Sequence, residues 1–96
     1  MILHLLNKSP SENNALKNAI RFLAPVDAVL LIENGVYAGI DGIEPKLPFS
    51  TGNIYALRED VEARGIADKL NADCKLISYD GFVELTERYP KVQSWY

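Results

Sequence analysis

The sequence predicts an α/β fold: a mainly parallel sheet of four to five strands with helices on both faces. Three observations lead there. Short apolar runs alternate with stretches of helical periodicity at a spacing of about 25 residues, which calls for crossover connections between parallel strands. Residues 26–32 are almost continuously apolar, the pattern of a strand covered on both sides. The 96 residues, 48% hydrophobic and 24% charged, suit one domain spanning 1–96 with a thin core.

The elements follow in order. Ile2-Leu3-His4-Leu5-Leu6 makes a short buried strand, ended by the polar Asn7-Lys8-Ser9-Pro10. Ser9 and Glu12 stand at capping-box spacing, with Pro10 at the first helical position, where its missing N–H costs nothing. The helix so opened places Ala15, Leu16, Ala19, Ile20 and Leu23 on one face and Lys17, Asn18 and Arg21 on the other, and Pro25 closes it. Residues 26–32 supply the central strand. At Asn34-Gly35 two readings compete: a hairpin turn, or the end of a parallel strand followed by a short helix at Val36-Tyr37-Ala38. The lack of alternation before it favours the second. Residues 39–52 hold three Gly and two Pro among fourteen, so they form an irregular connection. Residues 53–57 are a third strand, with Ile54, Tyr55 and Leu57 fitting a pleated surface. Glu59 and Asp60 fall in the first turn of the next helix and Gly65 at its terminus. Residues 75–79 are a fourth strand. Asp80 is the expected N-cap of a last helix in which Phe82, Leu85, Thr86 and Tyr89 share one face, stopped by Pro90. Val92-Gln93-Ser94-Trp95-Tyr96 is a tail or a short final strand.

Composition narrows the function. Ten Lys and Arg against thirteen Asp and Glu give a net charge of −3, which argues against a chain that grips nucleic acid by itself. The apolar runs are too short for a membrane helix, and a single cysteine fits the reducing cytoplasm, the expected location. No phosphate-binding GxxxxGK[ST], zinc-binding HExxH or GxSxG elbow occurs, and one His with one Cys leaves no Cys/His metal site. No cofactor or metal is expected.

The chemistry of such a fold gathers at the carboxyl ends of its strands. There stand Asn7–Ser9, Glu33 to Tyr37 with Asn34 and Gly35, Arg58 to Asp60, and Tyr79 to Gly81. Asp60 and Arg64 are four residues apart on one helix face, a local ion pair contributing at most about 0.5 kcal/mol, in a place that leaves a binding role open. His4 reads as a satisfied core histidine, because nothing nearby in sequence orients it as a base. Tyr37, Tyr79, Trp95 and Tyr96 suit core edges or interface anchors. Cys74 is the only residue with sulfur chemistry. It stands at the start of the fourth strand, opposite the loop-bearing edge, where no helix begins to stabilise an anion and burial raises a thiol pKa. It is not expected to carry sulfur.

Several strings, taken in order, point further. Leu3-His4 with Leu6-Asn7-Lys8-Ser9-Pro10, and Leu30-Leu31-Ile32-Glu33-Asn34-Gly35-Val36-Tyr37-Ala38, resemble the TusB/DsrH family. So do Tyr55-Ala56-Leu57-Arg58-Glu59-Asp60-Val61-Glu62-Ala63-Arg64-Gly65, Ile77-Ser78-Tyr79-Asp80-Gly81-Phe82-Val83-Glu84-Leu85-Thr86 and the ending Val92-Gln93-Ser94-Trp95. The resemblance implies a DsrE-like fold and a small non-catalytic subunit of a cytoplasmic sulfur relay. It implies TusC-like and TusD-like partners in a heterohexamer, with sulfur delivered as persulfide by a small carrier and passed to a TusE-like acceptor. The sulfur then serves 2-thiolation of the wobble uridine, so tRNA is met only indirectly. The family's main relay cysteine belongs to the TusD/DsrE partner.

One departure separates branches of the family. DsrH-type members carry a cysteine in the stretch that here reads Ala15-Leu16-Lys17-Asn18-Ala19-Ile20, and its absence favours the thiolation branch. The alternatives are a DsrH-like subunit of a sulfur-oxidation complex, and a stand-alone persulfide carrier using Cys74. On the favoured reading Asn34, Gly35, Tyr37, Asp60, Arg64 and Trp95 lie at or beside the surface shared with partners.

Overall fold

The computed structural model describes residues 1–95. Strands β1 (Ile2–Leu6), β2 (Ala28–Leu31), β3 (Ile54–Leu57), β4 (Lys75–Ile77) and β5 (Lys91–Trp95) form one five-stranded sheet in the order β4-β3-β2-β1-β5. Every neighbouring pair is parallel. The Asn34-Gly35 corner therefore ends a parallel strand and opens a 3₁₀ helix over Glu33–Gly39, as the unbroken apolar run required. The final segment is a strand: β5 lies beside β1, pairing Leu3 with Val92 and Leu6 with Trp95. Tyr96 lies outside the described residues.

Strand residues alternate between two cores. His4, Leu6, Val29, Leu31, Ile54 and Ala56 point to the face carrying helix α1 (Ala15–Phe22), the Glu33–Gly39 turn and helix α2 (Arg58–Ala63). Leu3, Ala28 and Leu30 point to the other face, where Leu85 of helix α3 (Tyr79–Arg88) and Tyr89 just beyond its end cover them. Each fully buried Leu contributes about 1.5–3 kcal/mol, which is how a chain this small supports a two-faced sheet.

Four expectations about element ends are corrected. Strand β4 covers 75–77 rather than 75–79, because Ser78 caps α3 and Tyr79 opens it. Helix α1 starts at Ala15, not at Pro10. Ser9 and Glu12 do meet, the Ser9 N–H donating to Glu12 Oε1 at 2.9 Å and the Glu12 N–H to the Ser9 carbonyl at 3.0 Å, but they close an isolated turn. Asn13 then accepts the Ala15 N–H with its side chain at 2.9 Å, the competition with helical bonding that makes Asn a poor interior helix former. The N-cap of α3 is Ser78, whose hydroxyl accepts the Gly81 N–H at 3.3 Å, and Asp80 sits in the first turn instead. Strand β2 begins at Ala28, because Val26 is 57% exposed and Asp27 turns inward. Gly65 ends α2 with a φ of +64°, in the left-handed region expected of a helix terminus.

Candidate functional site

The carboxyl ends of β1, β2 and β3 bring three loops together, and side chains lock them to one another. Asn34 is the hub. Its Nδ2 donates to Glu12 Oε1 at 3.2 Å, and its Oδ1 accepts from Arg64 Nε at 3.0 Å. Arg64 also donates from Nη1 to the Asp60 carbonyl at 3.1 Å and lies 3.8 Å from Asp60 Oδ1. Asp60 Oδ2 in turn accepts the Glu33 N–H at 2.7 Å. The Asp60/Arg64 pair is thus a local ion pair and also the far end of a chain of hydrogen bonds from α2 to the loop after β1. The Ser9 N–H, with smaller help from Asn34, holds the Glu12 carboxyl below its ordinary value.

Gly35 is fixed by backbone. A Cβ there would stand 1.9 Å from the Leu6 carbonyl oxygen, so only glycine lets the turn after β2 cross the end of β1. Glu33 beside it takes φ +50°, a left-handed conformation uncommon for a residue with a side chain. Tyr37 is half-buried and lines an open cleft of about 510 Å³ with Ser9, Pro10, Ser11 and Ile43. Asn34, Gly35, Tyr37, Asp60 and Arg64 therefore share one edge of the sheet.

Trp95 does not join that network. Its Nε1 donates to His4 Nδ1 at 3.0 Å, and its ring stacks on Phe22 of α1 at 5.7 Å between centroids. An indole N–H only donates, so His4 Nδ1 is the acceptor and Nε2 carries the ring proton toward Asp27 Oδ2, 3.0 Å away. Asp27 also accepts the Ile2 N–H through Oδ1 and the Ala24 N–H through Oδ2. Burial pushes the Asp27 carboxyl up, but the hydrogen bonds from His4, Ala24 and Ile2 outweigh it and hold it below the usual aspartate value. His4 is a satisfied core histidine. Its partner Asp27 was the residue missed in the sequence, although a carboxylate interrupting the apolar run of residues 26–32 announces a buried group in need of donors. Glu12, read only as a cap, is likewise a link of the Asn34 network.

Cys74 sits in the core on the face of α1 and α2, 9% exposed, where a Cβ added at Gly39 would stand 3.3 Å from its Sγ. Burial pushes its thiol up to about 11, so it stays protonated at neutral pH and is a poor nucleophile. Among the described residues, no group of three His, Cys, Asp or Glu side chains is placed to hold a metal ion. No helix among them is long and apolar enough to cross a membrane. What the loop-bearing edge offers is a shaped, hydrogen-bonded surface with tyrosine, amide and charged groups, suited to recognition.

Comparison with known proteins bears on the family and the fold. Residues 8–92 match the family model described as DsrH like protein. The chain is 36% identical to protein TusB of Erwinia tasmaniensis over 99 residues, covering 98% of this chain and all of the relative. It is 37% identical to protein TusB of Escherichia coli K12 over 98 residues, with the same coverage. Among solved structures, protein Tm0979 of Thermotoga maritima superposes with a TM-score of 0.67 at 29% identity, over 92% of this chain and 93% of the other. The ychN protein of Escherichia coli superposes at 0.75 over 98% and 97%, and at 18% identity it speaks for the fold alone. By sequence over nearly its full length, the chain belongs to the DsrH/TusB family.

Proposed function

We propose that this chain is a non-catalytic subunit of a cytoplasmic sulfur-relay complex that passes persulfide sulfur toward 2-thiolation of the tRNA wobble uridine. Its partners on this reading are TusC-like and TusD-like subunits in a heterohexamer, with a small persulfide carrier upstream and a TusE-like acceptor downstream. One observation carries the non-catalytic role. The only thiol of the chain is buried and held protonated, so sulfur has no nucleophile here to ride on. The TusB relatives, matched end to end, support the thiolation branch, and so does the missing cysteine in α1. The chain then contributes surface, and the Asn34, Gly35, Tyr37, Asp60 and Arg64 edge, flanked by Trp95, is that surface.

The experiment removes the gene from its own host and restores it on a plasmid, with 2-thiouridine in tRNA measured by mass spectrometry. Wild type and Cys74→Ser restore thiolation equally. Tyr37→Ala restores it several-fold less well while the isolated chain keeps its circular dichroism. Loss of thiolation with Cys74→Ser in a normally assembled complex makes the chain a carrier. Unchanged thiolation on deletion, with a defect in sulfur oxidation instead, moves the chain to the DsrH-like branch.

A further inference from the structure

The chain holds one histidine and one tryptophan, and they are bonded to each other. His4 is 1% exposed, and both of its ring nitrogens are engaged. Nε2 gives its proton to Asp27 Oδ2, and Nδ1 accepts from Trp95 Nε1, each at 3.0 Å. A second proton can enter the ring only at Nδ1. There it would point at the indole N–H, which has no lone pair to offer, so two donors would face each other. The two bonds thus respond to acid in opposite ways. The contact with Asp27 becomes charge-assisted and strengthens, while the contact with Trp95 turns from attraction to conflict.

The charged groups around the ring leave that conflict in place. Asp27, whose carboxyl lies below the usual aspartate value, meets Nε2 and not Nδ1. On α1, Lys17 and Arg21 are exposed, and Phe22 is the residue turned to the Trp95 ring. On β5, Gln93 lies opposite His4 and the exposed Lys91 opposite Ile2; on β1 itself the Met1 end of the chain is exposed. The Tyr89 phenol, raised chiefly by burial with the charges of Tyr55 and Asp27 adding to it, stays neutral.

The side that yields is β5. It is an edge strand, paired with β1 alone, and its Lys91, Val92 and Gln93 are exposed. Beyond the main-chain ladder, it is tied down by the Trp95 indole, bonded to His4 and stacked on a Phe22 that is itself 68% exposed. Such an edge opens locally at far less cost than the centre of the sheet. We propose that His4 is a proton-operated latch on β5: protonation at Nδ1 breaks the Trp95 bond, frees the indole and loosens β5 from β1, while the His4–Asp27 pair stays closed. The proton comes from solvent as the indole leaves, and water then takes up both freed N–H groups. Trp95 also walls the sheet end beside Asn7 and Glu33, so its release reshapes the flank of the loop-bearing edge. The device is built from this chain's own residues and does not depend on the relay reading.

The test is acidification of the full chain from about pH 8 to about pH 5, the span in which imidazoles titrate. The single indole and the single imidazole report on themselves. Trp95 emission shifts to the red and its Nε1–H resonance moves upfield, following the uptake of one proton by His4. One proton per release makes the released state about tenfold more favoured for each pH unit of acidification. Hydrogen-exchange protection of the β5 amides falls with it, while that of the β2 amides holds. The Asp27 carboxyl titrates at more acid pH and takes no part in this transition. His4→Gln, whose amide accepts from Trp95 and donates to Asp27 without titrating, removes the transition. Should that variant fail to fold, Trp95→Phe serves instead: it takes away the opposing donor, so β5 protection becomes independent of pH over the span. An indole resonance and β5 protection that stay constant in the wild type overturn the latch. So does a transition that survives either substitution, or one in which β5 and β2 amides lose protection together, since that is global unfolding and not release of a strand.

Discussion

The two ends of the β1 neighbourhood solve the same problem in opposite surroundings. Around His4, Asp27 and Trp95, side chains tie β1, the start of β2 and β5 together with hydrogen bonds of 2.9–3.0 Å. Around Asn34, side chains tie the β1, β2 and β3 loops together with bonds of 2.7–3.2 Å. The lengths are alike and the surroundings are not. His4 and Asp27 are 1% and 5% exposed, whereas Glu12 and Asn34 stand in water. A partner lost from the first cluster leaves buried groups with no replacement, and one lost from the second is replaced by solvent. The buried cluster is therefore an anchor for the fold, while the exposed one shapes a surface.

The strongest way to break that comparison is Asp27→Ala. It strips acceptors from the Ile2 and Ala24 N–H groups and from His4 Nε2 in one change. Removing one member of a buried polar pair typically costs about 3–5 kcal/mol, so the melting temperature falls steeply or the chain fails to fold. The pH dependence follows from the same contacts. The Asp27 carboxyl is held below its ordinary value in the native state, so the unfolded chain takes up its proton first as pH falls. Its contribution is complete above the ordinary aspartate range and drains away as pH drops through that range to the lower native value. Urea titrations between neutrality and acid read this loss, and Asp27→Asn flattens the Asp27 part of it. A wild-type stability that is level across the aspartate range contradicts the assignment.

Gly35→Ala comes next and sharpens the contrast, since it lies at the exposed edge but fails for a buried reason. The added methyl would meet the Leu6 carbonyl at 1.9 Å, forcing the β1 and β2 ends apart. Overpacking of this kind costs roughly 1–3 kcal/mol, read as a lower denaturation midpoint with an unchanged slope. A neutral Gly35→Ala means the two strand ends are not in contact in solution. Trp95→Phe follows at about 1 kcal/mol, because the ring still packs on Phe22 while His4 Nδ1 loses its only donor among the described residues. Chemical denaturation measures it, and a cost near that of Asp27→Ala makes the Trp95–His4 hydrogen bond as central to the anchor as the contacts of Asp27.

Much of this was legible in the residues. The parallel sheet followed from the unbroken apolar run through β2, and that same pattern decided the Asn34-Gly35 corner against a hairpin. The clustering of Asn34, Tyr37, Asp60 and Arg64 followed from strand-end topology, since parallel strands deliver all their outgoing loops to one edge. What escaped was non-local or set by competing local bonds. The meeting of His4 with Trp95 joins residues 91 positions apart, which no spacing rule reaches. The late start of α1 was decided by Asn13 capturing a backbone N–H, a local choice between turn and helix that the capping-box pattern alone does not weigh. The placement of Trp95 away from the Asn34 hub follows from β5 pairing with the outer side of β1, a strand position that a short terminal segment does not announce.

The smallest expected effect on stability is also the most informative about the surface. Arg64→Ala removes one hydrogen bond to Asn34, one to the Asp60 carbonyl and an ion pair at 3.8 Å whose side chains are each about a fifth exposed. At that distance and exposure the pair itself is worth no more than about 1 kcal/mol, and water takes the vacated positions. The melting temperature of the isolated chain should therefore shift by only a few degrees. Asn34 loses the group that orients its Oδ1 and, among the described residues, keeps only Glu12, so its side chain samples more rotamers and the edge is no longer held in one shape. Side-chain amide NMR of Asn34 reads that loosening directly, and calorimetric titration against the proposed TusC-like and TusD-like partners reads its consequence as weaker association. If Arg64→Ala unfolds the chain as Asp27→Ala does, the exposed network is an anchor like the buried one and the division drawn between them fails. If it leaves fold, amide signals and association all untouched, Arg64 is a bystander on α2 and the surface is organised by Asp60 and Asn34 alone.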